Sequence, residues 1–225
     1  MKTNLLKVLS VFVVAVMLIG CKGNENTPEN PKTDESAVKS TSSVSSDKGI
    51  IIEAIMKDGT RQYYRVLTPS EVGVTNYYAY YAADGFDSYD YKDNVVIPES
   101  VTHDGTTYSV TQLCGGENVW KKSGAPFWNA QMTGKLNRVT LPKTITKIPD
   151  KSVCLKKGVT DPANIWKFEL VCRGSNPPTL DAGYHTEYHQ GDTYFYAIIK
   201  VPAQSVEAYK RAWNEELAEH ISAIE

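Results

Sequence analysis

The chain has 225 residues, of which 41% are hydrophobic, and its formal net charge at pH 7 is −2. Without residues 1–21, which include Lys2 and Lys7 and no acidic residue, 22 basic residues face 26 acidic ones, a net charge of −4. This balance argues against nucleic acid or an anionic surface as a partner.

Residues 1–21 have the pattern of a bacterial signal peptide. Lys2 and Lys7 give a positive start, and the apolar run from Val8 to Ile19 is too short to span a bilayer. The run ends in Leu18-Ile19-Gly20-Cys21, which resembles the lipobox of bacterial lipoproteins. That resemblance implies that Cys21 is lipidated and becomes the mature N-terminus. An ordinary signal peptide or an uncleaved anchor is the alternative.

Residues 22–48 contain no aromatic residue and are rich in serine, threonine, asparagine and charged side chains. Such a segment cannot bury enough apolar surface to offset its conformational entropy. The composition predicts a disordered tether with a reach of about 30 Å, which would hold the folded part away from the membrane.

A globular segment of 177 residues begins at Gly49, long enough for one sizeable core. The run from Ile50 to Met56 predicts a strand, and Gly59 supplies a turn residue that tolerates positive φ. Residues 62–67 are the predicted returning strand. We expect this hairpin to begin an N-terminal β cap over residues 49–91.

The end of this segment, from Val74 to Tyr91, is rich in aromatic residues. One interpretation is an exposed platform for sugar rings or a protein, because tyrosine offers a rigid amphipathic surface. The alternative is a set of edge-strand aromatics that pack and keep their hydroxyls at the surface. The candidate ligand-binding residues in this stretch are Tyr78, Tyr80, Phe86 and Tyr89.

A short apolar unit that ends in proline recurs along the rest of the chain. Val139-Thr140-Leu141-Pro142 matches Val95-Val96-Ile97-Pro98 and Ile199-Lys200-Val201-Pro202, and Phe168-Glu169-Leu170-Val171-Cys172 is a degenerate copy. Each unit predicts a very short strand with an abrupt end, because proline has no N–H to donate. One unit cannot bury its own apolar face, so the copies are predicted to stack.

These units resemble a BspA-type leucine-rich repeat protein, a family of bacterial surface lipoproteins. The matching pieces are residues 97–101, 105–111, 141–148, 176–180 and, the most specific of them, Val201-Pro202-Ala203-Gln204-Ser205-Val206-Glu207-Ala208-Tyr209-Lys210. The resemblance implies a mainly β fold with short helices, a short irregular solenoid of about four divergent coils. It places the repeats in residues 92–202 and a C-terminal capping helix with a short strand in residues 203–225.

Two insertions interrupt the repeats, residues 121–134 and 156–164. Insertions in repeat folds form loops that often lie on the binding face. Trp120, Phe127 and Trp128 are therefore further candidate ligand-binding residues, with the sealing of repeat edges as the alternative role.

Three cysteines follow Cys21: Cys114, Cys154 and Cys172. An odd number excludes full disulfide pairing within one chain. The resemblance places Cys154 and Cys172 inward, which favours buried thiols, with a disulfide between those two as the alternative. A nucleophilic role is disfavoured because no histidine is near in sequence to activate a thiol.

No cofactor or metal is predicted. His185 and His189 have a His-x-x-x-His spacing, but Glu187 is misplaced for the His-Glu-x-x-His motif. The acidic residues Asp84, Asp87, Asp90 and Asp93 lack the spacing of a calcium loop and indicate a solvated turn. No pair of carboxylates suits glycoside hydrolysis, so an enzyme is disfavoured.

The last predicted element is a helix from Ser205, its N-cap, with Val206, Tyr209, Trp213 and Leu217 on one apolar face. Glu207–Arg211 and Arg211–Glu215 are the predicted ion pairs, and a short strand follows at residues 221–224. Trp213 is expected in the core.

Two functions remain open. The favoured one is a non-enzymatic, lipid-anchored adhesion or binding module at the cell envelope, in the outer membrane or at the cell surface, which recognises a protein or a glycan. The alternative is a structural or assembly subunit of an envelope lipoprotein complex. Neither involves nucleic acid.

Overall fold

The computed structural model describes residues 39–46, 49–56, 59–75, 93–115, 126–127, 131, 136–159, 167–181 and 193–225. All of them belong to the unit Glu35–Glu225. In these residues fifteen strands accompany two short α-helices, so the predicted mainly β class is confirmed. No helix in the described part is long and apolar enough to cross a membrane.

The first four strands form an antiparallel meander: β1 (Lys39–Ser46), β2 (Gly49–Ile55), β3 (Arg61–Thr68) and β4 (Glu71–Thr75). The predicted hairpin is therefore confirmed as β2 and β3. Its turn closes with a hydrogen bond of 2.8 Å from Met56 N to Thr60 O, and Gly59 has a φ of +83°. A side chain at that angle would be strained, which explains the glycine.

Strand β1 corrects one sequence expectation. Its residues lie inside the segment 22–48 that the composition predicts as a disordered tether, yet they pair with β2 over the register from Lys39–Ile55 to Ser46–Gly49. An adjacent strand with open N–H and C=O groups can order a polar segment through backbone hydrogen bonds alone, which composition does not reveal.

The same sheet continues past β4 with parallel pairing. β7 (Thr106–Leu113) pairs with β4, β9 (Lys147–Ile148) with β7, and β12 (Thr179–Leu180) with β9. β6 (Ser100–His103) pairs antiparallel with β7, and the two are joined by a turn at Asp104 and Gly105, both with positive φ. This gives one sheet of eight strands.

A second sheet of five strands is parallel throughout. Its order is β15-β14-β11-β8-β5, with β5 (Asn94–Val96), β8 (Arg138–Leu141), β11 (Glu169–Cys172), β14 (Ile198–Val201) and β15 (Ile221–Ala223). A separate antiparallel pair is formed by β10 (Lys156–Val159) and β13 (Thr193–Tyr196).

The register of the five-stranded sheet follows the sequence repeats. The first apolar residue of each unit that ends in proline lies in one line across the sheet with Leu170 of the degenerate unit, and Ile221 extends this line to β15. We call this line the inner row; its members are Val95, Val139, Leu170, Ile199 and Ile221, between 0 and 4% exposed. A slip of one residue would turn these side chains to the opposite face, so burial specifies the register.

The first insertion contributes to the core. Gln131 is fully buried, and its side-chain amide bonds the backbone of Cys154 in both directions: Nε2 donates to the carbonyl at 3.0 Å and Oε1 accepts from N–H at 2.7 Å. The amide therefore satisfies both backbone groups of Cys154, which would be costly to bury unpaired.

The C-terminal helix is broken into two, which corrects the prediction of one continuous element. α1 (Val206–Ala212) ends at Trp213, and α2 (Glu215–Ala218) begins at Asn214, whose side chain accepts from Leu217 N–H at 2.9 Å. Asparagine is among the strongest N-caps, and it interrupts a helix that the apolar spacing alone would continue. The predicted pairs of Arg211 are replaced by an ion pair of Glu207 with Lys210 at 3.7 Å.

Side chains of α1 and its C-terminal end hold the segment before β12. Tyr209 donates through its hydroxyl to Gly174 O at 3.0 Å, and Trp213 donates through Nε1 to Pro178 O at 3.0 Å. Trp213 is 5% exposed, so its predicted place in the core is confirmed, and β15 follows as the predicted final strand.

Gly73 on β4 is required by a close approach. A Cβ atom there would lie 2.8 Å from Cys114 Sγ and 3.4 Å from both Gln112 Cγ and Leu67 Cδ1. We expect Gly73→Ala to lower the free energy of unfolding by about 1–3 kcal/mol, because overpacking forces neighbours apart. In a Cys114→Ala background the same change should cost less than about 1 kcal/mol.

A double-mutant cycle in urea measures this coupling. Equal costs in the two backgrounds would show that the sulfur atom is not what excludes the methyl group.

Candidate functional site

The structure leaves most of the predicted site residues untested. Tyr78, Tyr80, Phe86, Tyr89, Trp120, Trp128 and the lipidation residue Cys21 lie outside the described residues, as do His185 and His189. Phe127 is described, is fully buried and belongs to the hydrophobic core. This corrects its assignment as an exposed ligand contact and agrees with the alternative in which the ring seals the repeats.

A different surface stands out, the side of the five-stranded sheet opposite the inner row. Side chains alternate along a strand, so residues next to the inner row project away from the core. We call this surface the outer face; on β5, β8, β11 and β14 it comprises Asn94, Val96, Arg138, Thr140, Glu169, Val171, Ile198 and Lys200. The strands hold these side chains in fixed positions, since their inward neighbours are locked in the core.

Aliphatic side chains are exposed at both sides of the outer face. Val96 on β5 is 50% exposed and Ile198 on β14 is 47% exposed, while Val171 between them is half-buried. Thr140, next to Val171, is buried. Scattered exposed aliphatics need no explanation, but two on one rigid sheet offer contact area to a partner.

The centre of the outer face carries an ion pair. Arg138 Nε lies 2.7 Å from Glu169 Oε1, with the arginine side chain 50% and the glutamate side chain 20% exposed. Within the described residues this is the one ion pair of Arg138, and half of the arginine side chain is exposed to a ligand. Such an exposed pair adds little stability, and its main effect is to orient the guanidinium.

A polar and aromatic cluster borders the outer face beyond Ile198. Tyr196 and His220 stack with ring centroids 4.4 Å apart and planes 10° from parallel. Lys156 Nζ lies 2.9 Å from Glu216 Oε2 and 5.4 Å from the centre of the Tyr196 ring. The hydrogen bond to Glu216 raises the pKa of Lys156, so the lysine is charged at neutral pH. These contacts join β10, β13, α2 and the start of β15.

The three cysteines that follow Cys21 are free and buried, so the structure has no bridge between Cys154 and Cys172. Burial raises the pKa of Cys114 from 9.0 to about 11 and that of Cys154 and Cys172 to about 12, because the thiolate is poorly solvated in the core. At pH 7 no more than about one thiol in 10,000 would be ionised, which leaves them as small hydrophobic groups.

These thiols predict a loss of stability in alkali. Each has a folded pKa above its unfolded value of 9.0, so its contribution is complete below pH 9 and is lost as the pH rises toward 11 and 12. At pH 11 the expected loss is about 2–3 kcal/mol per thiol, from 1.36 kcal/mol per pKa unit.

Urea unfolding between pH 8 and pH 11 measures this loss. The variant with Cys114, Cys154 and Cys172 all changed to alanine is the control, and its stability should depend much less on pH. Equal slopes for the two proteins would contradict the prediction.

Among the described residues no group of three or more histidine, cysteine or acidic side chains is arranged to hold a metal ion. Asp93, the one described member of the predicted acidic turn, is exposed.

Comparison with protein-family models, with curated proteins and with solved structures gives no match.

Sequence reasoning did not select the outer face, although a usable pattern was present. Once the repeats are aligned on their inner-row residue, the positions on either side must project outward. Arg138, Glu169 and Ile198 share the position before the inner-row residue in their units. Their side by side placement follows from that alignment.

Proposed function

We propose that this protein is a non-enzymatic, lipid-anchored binding module of the bacterial cell envelope that engages a protein partner through its outer face. The observation that carries the proposal is the exposure of Val96 and Ile198 on one side of a sheet whose opposite side is buried in the core. Aliphatic groups in fixed positions favour a protein partner, which offers apolar contacts in return.

The proposal includes the finer architecture, a short irregular leucine-rich-repeat solenoid with an N-terminal β cap and a C-terminal helix cap. Three observations support it: the sequence repeats, the parallel pairing of the strands that carry them, and the continuous inner row. The anchoring of Tyr209 and Trp213 on the segment before β12 supports the capping role of α1. In such an array each repeat contacts its neighbours, and a terminal element covers the last one.

The anchor and the location are part of the same proposal. Lys2, Lys7, the apolar run and Leu18-Ile19-Gly20-Cys21 support cleavage before Cys21 and its lipidation. The binding module is then held at the cell envelope, in the outer membrane or at the cell surface. We expect Cys21→Ser to abolish incorporation of labelled fatty acid, and unchanged labelling would contradict the anchor.

The experiment that tests the function is capture of envelope and extracellular proteins by the full chain, run in parallel with a glycan array. The test variant is Ile198→Asp, and the matched control is Ile50→Asp, because Ile50 on β2 is 43% exposed. We expect one or more proteins to be captured by the native chain and by the control, with at least a tenfold loss for Ile198→Asp.

Three outcomes would contradict the proposal. Capture that is equally strong with Ile198→Asp would remove the outer face from the interaction. Binding of glycans with no protein partner would direct attention to Tyr78, Tyr80, Phe86, Tyr89, Trp120 and Trp128. One stoichiometric envelope lipoprotein that remains bound throughout purification would favour the alternative of an assembly subunit.

A further inference from the structure

The size of the outer face limits what can bind there. Five strands spaced about 4.8 Å apart span about 19 Å, and the two outward rows are about 7 Å apart along each strand. With side-chain radii included, the face covers roughly 300 Å², whereas a stable interface between globular proteins takes about 800 Å² from each partner. The outer face therefore suits an extended segment of a partner rather than a second globular surface, including a second copy of this chain.

The open side of Arg138 defines the charge of such a segment. Glu169 Oε1 lies 2.7 Å from Nε, on one side of the guanidinium, and the arginine side chain is 50% exposed, which leaves the far end of the fork, between the two Nη groups, for a ligand. A planar guanidinium binds a carboxylate through two parallel N–H···O bonds, which are stronger than bonds to neutral acceptors. Because the pair with Glu169 already fixes the side chain, a ligand carboxylate would meet a preorganised donor.

The residues beside the ion pair define a second contact. Arg138, Glu169 and Ile198 occupy the same position on three successive strands, so Ile198 lies about 10 Å from Arg138 at strand spacing. Val171, the outward residue next along β11 from Glu169, adds apolar surface nearby. An extended chain rises about 3.3 Å per residue, so a distance of about 10 Å corresponds to three residues of a bound segment, or to two residues, about 7 Å, whose side chains reach across the difference.

We propose that the outer face binds an extended segment of a partner protein in which an aspartate or glutamate contacts Arg138. An aliphatic residue two or three positions away packs on Ile198. This inference rests on the proposed function and adds the chemistry of the partner to it.

The test is selection of random linear 12-residue peptides on the immobilised full chain. The enriched peptides should share an acidic residue and an aliphatic residue at that spacing. A synthetic peptide from the selection should lose at least tenfold in affinity with Arg138→Gln, and a similar amount when its own acidic residue is changed to the amide. Arg211→Gln is the matched control, because Arg211 is an exposed arginine on α1 and is not part of the outer face, and it should leave the affinity unchanged.

Arg138→Lys gives an independent measurement. It keeps the charge but loses the planar fork, so its affinity should fall between those of the native chain and Arg138→Gln. Thermal unfolding of each variant shows whether the fold is retained.

The inference is overturned if no peptide is enriched, if enriched peptides lack an acidic residue, or if Arg138→Gln binds as well as Arg211→Gln. Its failure is distinguishable from failure of the proposed function. Protein capture that depends on Ile198 but not on Arg138 would leave the function standing without the acidic segment. Capture that depends on neither residue would remove both.

Discussion

Replacing Leu170 with alanine is expected to lower the free energy of unfolding by about 3–5 kcal/mol, the cost of deleting a fully buried leucine side chain. Leu170 is 0% exposed at the centre of the inner row, between Val139 on β8 and Ile199 on β14. A cavity there removes contacts to both neighbouring strands, and the backbone ladder prevents the strands from closing the gap.

Val171→Ala is the matched control for this prediction. Val171 is the next residue on the same strand, faces outward and is half-buried, so its truncation should cost about 1 kcal/mol or less. Urea unfolding followed by circular dichroism gives both values. If the two variants lost equal stability, the inner row would not be the core of the five-stranded sheet.

Trp213→Ala is expected to have a comparable effect, about 3–5 kcal/mol, since it deletes the largest side chain at the junction of α1 and α2. The indole is 5% exposed, its Nε1 donates to Pro178 O at 3.0 Å, and its ring packs edge-on against Tyr209 with centroids 5.2 Å apart. Its loss would leave a cavity and an unpaired buried carbonyl.

Trp213→Phe separates these contributions. Phenylalanine keeps an aromatic ring but cannot donate to Pro178 O, so we expect a loss of about 1–2 kcal/mol. Thermal and urea unfolding report the values. A phenylalanine variant as unstable as the alanine variant would mean that the hydrogen bond, rather than the packed ring, dominates the attachment of α1.

Sequence reasoning predicted the parts of the fold that depend on repeated local patterns. Val95, Val139 and Ile199 were aligned by their position before a proline, and the strands pair at those residues. The agreement has a physical cause: one face of the sheet is buried, so pairing in this register keeps the apolar side chains of neighbouring strands together on that face. The hairpin of β2 and β3 was predictable from another local signal, the turn residue Gly59 between two apolar runs.

Elements that depend on distant partners were not predicted. β1 is ordered by pairing with β2, and the buried amide of Gln131 is explained by the backbone of Cys154, a residue 23 positions away. Neither partner is visible in the local pattern. The break between α1 and α2 is different, because Asn214 followed by Glu215 and Glu216 is a recognisable helix start that the continuous apolar stripe concealed.

The candidate site shows the same division. Phe127 is a candidate ligand contact by sequence because it lies in an insertion, but its ring is fully buried in the core. The outer face could be identified only after the strand register placed Arg138, Glu169 and Ile198 next to one another.

The inner-row strands stay in register although the connections between them differ in length. Its strands begin at residues 94, 138, 169, 198 and 221, so successive connections differ in length by up to about twofold while the pairing stays in register. Doubling a flexible connection costs only about 0.6 kcal/mol of loop-closure entropy. The loops within these connections can therefore be lengthened or shortened at small thermodynamic cost, whereas the parts that form β7, β9, β12 and α1 must be kept. The five short strands thus form a framework on which a lineage can diversify surface loops without having to rebuild the core.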